Sequence, residues 1–187
     1  MYRIIIYFRH KICNNNLTGS DKMNEKLRKS IVSGVFAAMI FVLTMFVKFP
    51  VGPGYIHFAD SLVYVCSALI GPFGILAGAI GEGLADAVGG FAVYVPFTVV
   101  IKIIIALPFA LSSYKEEKIL TVKNILFSVL ALFVSTAGYI VADRVVAGQG
   151  FAFTYMWINI VQGIASSFVF AIIAAAFDRI NIRKKLF

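Results

Sequence analysis

Six apolar stretches occupy a chain of 187 residues, and the costly polar groups within them gather on one side. His57, Asp60, Glu82, Asp86, Lys102, Tyr139, Asp143, Trp157, Asn159 and Gln162 are scattered in sequence. Threaded as six alternating membrane spans, nearly all of them fall in the half opposite the basic loops. A charge in hydrocarbon costs at least ~2.5–3.5 kcal/mol even on lenient insertion scales, so such groups face a cavity or a partner. The pattern predicts a membrane protein with a polar pocket open to one side.

Composition points the same way. The chain is 60% hydrophobic with a mean hydropathy of +0.91, against the ~45–50% apolar usage of soluble domains. A soluble core of this size could not hide that much apolar surface, whereas a bilayer can. The net charge of +8 is distributed as a topology signal rather than as a nucleic-acid surface. Lys22, Lys26, Arg28 and Lys29 precede the first span, Lys115, Lys118 and Lys123 lie in the central loop, and Arg179, Arg183, Lys184 and Lys185 follow the last. Even numbers of spans separate these clusters, so all three can be cytoplasmic; the opposite side carries only Lys48 and Arg144. No nucleic-acid partner is expected.

The expected fold is an all-α membrane protein, a bundle of six transmembrane helices with both termini cytoplasmic. Residues 1–22 read as a leader, interfacial or disordered, and 23–187 as the membrane domain, with Met23 an alternative initiator. Span one runs from about Ser30 to Phe49, followed by a constrained outer loop at Pro50, Gly52, Pro53 and Gly54. Span two covers about Phe58–Ile70 and stops at Gly71-Pro72. Span three ends at Gly89-Gly90, and span four starts at Pro96. Spans five and six cover about Asn124–Ala142 and Thr154–Phe177, joined by an outer loop Asp143–Phe153.

Gly74, Gly78, Gly81 and Ala85 place small residues at helical spacing on span three, which favours close helix contact in lipid. Glu82 and Asp86 share a face of that helix. Lys102 lies roughly 9 Å into span four and can pair with Glu82 or Asp86, as a structural ion pair or a ligand anchor. Asn159 and Gln162 are three apart on span six. Trp157 reads either as an interfacial anchor or, with Tyr139, as an aromatic wall for a flat ligand. Cys13 and Cys66 have no metal-like spacing, and no hydrolytic or nucleotide-binding motif is present. The chain is therefore expected to be non-enzymatic, with neither cofactor nor metal.

Gly52-Pro53-Gly54-Tyr55-Ile56-His57-Phe58-Ala59-Asp60, Gly71-Pro72-Phe73-Gly74, Asp86, Gly89-Gly90, Tyr94-Val95-Pro96-Phe97-Thr98 and Lys102 together resemble the substrate-binding S-component of an energy-coupling factor vitamin transporter. The resemblance runs over nearly the whole chain from Met23. It implies capture of a small water-soluble vitamin or precursor near the outer surface of a bacterial plasma membrane. It also implies a transmembrane coupling subunit and two cytoplasmic ATPase subunits as partners. The general arrangement most resembles members assigned to pyridoxine or hydroxymethylpyrimidine-type precursors. The expected binding residues are Tyr55, His57, Asp60, Glu82, Asp86, Tyr94, Lys102, Tyr139, Trp157, Asn159 and Gln162. Ser33 with Ala37, or Gly34 with Ala38, would form the docking stripe on helix one. The alternative from the residues alone is a stand-alone ion- or proton-coupled carrier with Glu82, Asp86 and Lys102 as its relay; the absence of an internal repeat weighs against it.

Overall fold

The computed structural model describes residues 25–52 and 54–186; the leader expected over residues 1–22 and the start at Met23 lie outside them. Helix α1 (Glu25–Phe46) leads into a hairpin of β1 (Lys48–Val51) and β2 (Gly54–His57). Then come α2 (Asp60–Ile70), α3 (Pro72–Val88), a 3-10 turn (Ala92–Tyr94) and α4 (Val95–Ser112). Helices α5 (Val122–Val146), α6 (Gln149–Arg179) and the short α7 (Ile182–Leu186) complete the chain.

Among the described residues four segments are long and apolar enough to cross a membrane: Glu25–Phe46, Ala92–Ser112, Val122–Val146 and Gly150–Arg179. Crossing takes about 20 residues at 1.5 Å each. Helix α2 has 11 residues and α3 has 17, so α2 reaches only about 16 Å. All of its residues are buried. It is a core helix wrapped by the others. Apolar residues facing protein and apolar residues facing lipid look alike in sequence, so the residues mark α2 as a short span without showing that it is enclosed.

The all-α expectation needs one correction. The outer loop after α1 is an antiparallel hairpin, pairing Lys48 with His57, Phe49 with Ile56, Pro50 with Tyr55 and Val51 with Gly54. The residues that break helices here also suit a two-residue turn, with Gly52 at φ +58°. In a ribbon of two strands each strand has a free edge, so Pro50 is tolerated. The outer connection between α5 and α6 is also shorter than expected, because α5 continues to Val146 and α6 starts at Gln149.

Packing around α2 explains the small residues of α3. A Cβ on Gly74 would lie 2.4 Å from the Cα and N of Ser67, and one on Gly81 would lie 2.7 Å from the Ala37 carbonyl oxygen. Backbones of α2 and α1 therefore press directly on α3, as small-residue stripes allow. Deeper in the core Tyr64 stacks on Phe109 with ring centroids 4.9 Å apart, and Phe170 meets both edge-on, tying α2, α4 and α6 together. At the basic end Arg183 of α7 reaches back across the bundle. Its Nη2 donates to the Ala68 carbonyl at 2.6 Å and its Nη1 to the Tyr114 carbonyl at 2.6 Å.

The two docking stripes expected on α1 separate cleanly. Ser33 donates to the Phe73 carbonyl at 2.8 Å, and Ala37 packs on Gly81, so that pair faces α3. Gly34 and Ala38 are exposed, flanked by exposed Ile31, Val35, Met39 and Val42. Nothing lies within 4 Å of a Cβ built on Gly34.

Candidate functional site

The hairpin folds over the end of the bundle where the intramembrane polar groups collect. Two hydrogen bonds hold it there: Tyr55 Oη donates to Asp86 Oδ1 at 2.8 Å, and the His57 amide donates to Gln162 Oε1 at 3.3 Å. Beneath it lies a cavity of about 110 Å³. Tyr55, Phe91, Tyr94, Tyr139, Phe151 and Tyr155 provide aromatic surface, while His57, Glu82, Asp86, Asp143, Asn159 and Gln162 provide polar atoms.

Under the cavity is a buried charge cluster. Lys102 Nζ stands 2.5 Å from Asp60 Oδ1 and 2.9 Å from Glu82 Oε2. The three side chains are at most 2% exposed. Desolvating three charges is costly, and the mutual attraction offsets this only in close geometry such as this one. Gln162 Nε2 adds a longer contact to Asp60 Oδ2 at 3.4 Å. Expectation and structure differ on one partner: Lys102 pairs with Glu82 and Asp60, not with Asp86. Asp86 lies one helical turn closer to the hairpin and takes hydroxyls instead, from Tyr55 and from Thr98 at 2.5 Å. With the Thr98 proton committed to Asp86, Tyr139 donates to Thr98 Oγ1 at 3.3 Å. Tyr94 donates to Asp143 Oδ1 at 3.0 Å.

His57 is held neutral. Its Nδ1 accepts the Ala59 amide at 3.2 Å, which places the ring proton on Nε2, 3.7 Å from Glu82 Oε2. Burial pushes its pKa down to about 4 despite the neighbouring Asp60. The Tyr55 hydroxyl is pushed well up, first by burial and then by the negative charge of Asp86. Both side chains therefore stay uncharged at neutral pH and present hydrogen-bonding groups rather than ions.

Of the expected binding residues, the structure brings Tyr55, His57, Glu82, Asp86, Tyr94, Tyr139, Asn159 and Gln162 to the cavity wall. Asp60 and Lys102 lie behind that wall, in contact with Glu82 or Gln162. Trp157 lies elsewhere. It is 48% exposed and does not line the cavity. Helical geometry gives the reason, since Tyr155, Asn159 and Gln162 share a face at spacings of four and three, and Trp157 is about 200° around from Tyr155. Trp157→Ala is accordingly expected to leave ligand affinity within about twofold of wild type by titration of the purified protein. A loss of tenfold or more would mean that α6 rotates when ligand binds.

Sequence reasoning passed over Phe91, Phe151, Tyr155 and Ile158 as wall residues, and placed Asp143 in the one-sided polar cluster without naming it as a binding residue. Tyr155 was within reach, because it lies four residues before Asn159 on the same helical face. Phe91 follows Gly89-Gly90, where no periodicity exists to give it a direction.

The chain is 32% identical over 133 residues to an uncharacterized protein in a gap 3′ region of Pyrococcus woesei, covering 67% of this chain and 85% of that one. Residues 24–179 match the family described as "ECF-type riboflavin transporter, S component". That match takes in every helix that frames the cavity, and the chain belongs to this family of S components.

Proposed function

We propose that the cavity under the hairpin captures a flat, single-ring vitamin or vitamin precursor of the pyridoxine or hydroxymethylpyrimidine kind. As an S component the chain is a substrate-binding transporter subunit, a multi-pass membrane protein that works with the other subunits of an energy-coupling factor transporter. The observation that carries the substrate reading is the cavity itself: about 110 Å³, walled by aromatic rings and dotted with fixed polar atoms. Ligand sites commonly measure ~300–1,000 Å³, so a small ring suits the closed hairpin. The second reading is riboflavin, which the family description names; a three-ring ligand requires the hairpin to lift off Asp86 and Gln162.

Native mass spectrometry of the purified chain with pyridoxine, 4-amino-5-hydroxymethyl-2-methylpyrimidine and riboflavin tests the reading. Retention of a single-ring compound supports it, and retention of riboflavin alone moves the conclusion to the second reading. Retention of none counts against capture altogether. A stand-alone carrier relaying ions through Glu82, Asp86 and Lys102 would instead drive uptake into proteoliposomes holding only this chain under an ion gradient.

The remaining parts of the proposal follow the same logic. Helices α2 and α3 lie within the membrane with the four longer helices, which makes six spans with both basic ends cytoplasmic. The membrane is the cell membrane; the archaeal relative argues against confining the protein to bacteria. The partners are a transmembrane coupling subunit and two ATPase subunits, with the coupling subunit seated on the exposed Gly34–Ala38 face of α1. Small residues there permit close helix approach. Ala38→Leu is expected to abolish uptake by the assembled transporter while ligand binding by the isolated chain stays at the wild-type level. Loss of both together would put this face inside the binding unit instead.

A further inference from the structure

Charges around the cavity do not balance. Asp60, Glu82, Asp86 and Asp143 bring four carboxyl groups to the cavity and its floor, and among the described residues Lys102 is the one ammonium in contact with any of them. Lys48 does not line the cavity; its Nζ stands over the Tyr55 ring, 4.7 Å from the ring centre. Asp86 and Asp143 have hydroxyl donors, and Asp60 has Lys102 and Gln162. Glu82 is different. Its Oε2 meets Lys102, but Oε1 is buried with no hydrogen-bond partner, and Glu82 lines the cavity.

A buried carboxylate oxygen left without a donor is expensive, and a native structure keeps such a group where something else completes it. We infer that Glu82 orients the ligand: Oε1 accepts a hydrogen bond from a ring N–H, an amino group or a protonated ring nitrogen. The acid-rich cavity in turn rejects phosphorylated forms of the same compound. This rests on the capture reading. It adds the chemistry of the ligand edge that faces α3, and it makes the acidic lining of the cavity the source of selectivity. A neutral or cationic ring supplies the missing donor, whereas a phosphate brings two negative charges and only acceptors toward Glu82, Asp86 and Asp143. Like charges brought together in a desolvated site are strongly disfavoured.

The test uses the purified full chain in detergent, with isothermal titration of three pairs: pyridoxine and its 5′-phosphate, 4-amino-5-hydroxymethyl-2-methylpyrimidine and its phosphate, and riboflavin and its 5′-phosphate. The wild type is expected to bind at least one free compound, and its phosphate at least about 100-fold more weakly. Glu82→Gln keeps an oxygen for Lys102 but turns an N–H₂ toward the ligand donor. It is expected to weaken the free compound about 10- to 100-fold and to narrow the gap to the phosphate. A Glu82 with a purely structural role would weaken both members of the pair by the same factor. The inference is overturned if the phosphate binds as well as the free compound, or if Glu82→Gln binds it unchanged; the capture reading survives either result. Should the variant not fold, the wild-type ratio decides. If no compound of the six binds, the capture reading falls and this inference falls with it.

Discussion

Lys102→Met is expected to lower the stability of the solubilised protein by about 3–5 kcal/mol, the cost of stranding buried charges. Methionine fills nearly the same volume, so little of this loss comes from packing. The loss comes from Asp60 and Glu82, which both contact the ammonium now and would face each other without it. For a chain of this size the change corresponds to roughly 6–20 °C in melting temperature. Thermal unfolding followed by monodispersity on size exclusion measures it. The triple variant Lys102→Met, Asp60→Asn, Glu82→Gln is expected to recover part of the loss, because replacing a whole buried ion cluster by neutral groups is far less costly than breaking it. A single variant that melts within about 2 °C of wild type would show that water reaches the cluster freely.

Gly74→Ala is expected to have an effect of comparable size from a single methyl group. The added carbon would lie 2.4 Å from the N and Cα of Ser67. Neither atom belongs to a side chain that could rotate aside, so α2 and α3 must separate along their whole contact. Overpacking of this kind costs about 1–3 kcal/mol, and more where backbone is the obstacle. Gly34→Ala is the internal control. With nothing within 4 Å of the new methyl, it is expected to be neutral or to stabilise α1 by up to about 1 kcal/mol through helix propensity. Chemical denaturation of both variants, measured side by side, separates close packing from a general intolerance of larger residues. Equal destabilisation by the two substitutions would contradict the packing described.

How much of this could be read from the residues depends on which force positions each one. The long helices were legible because about 20 apolar residues have few alternatives to crossing a bilayer. The one-sided polar cluster was legible because charges in hydrocarbon must be gathered. The one-sided cluster already held His57, Glu82, Asp86, Tyr139, Asp143, Asn159 and Gln162, all of which line the cavity, while Tyr55 and Tyr94 were expected from the family resemblance. The hairpin was hidden, since Pro50, Gly52 and Gly54 mark a break in helix without stating what replaces it. The Lys102–Asp60 contact was hidden too. It joins residues 42 apart and depends on α2 sitting at the centre of the bundle, which apolar composition does not reveal. Trp157 shows the reverse case. Its chemistry suits a ligand wall, but its angular position on α6 excludes it, and the helical period alone could have said so.

The Arg183 contacts bear on how the chain is assembled. Helix α2 ends at Ile70 with the carbonyls of Ala68 and Leu69 directed at a guanidinium 115 and 114 residues further along. An 11-residue helix is too short to enter a bilayer by itself, and its last carbonyls have no donors of their own. The hydrogen bonds that close the end of α2 can therefore form only once α7 has been made. A chain lacking Arg183 would leave the Ala68 and Leu69 carbonyls at the end of the central helix without these donors.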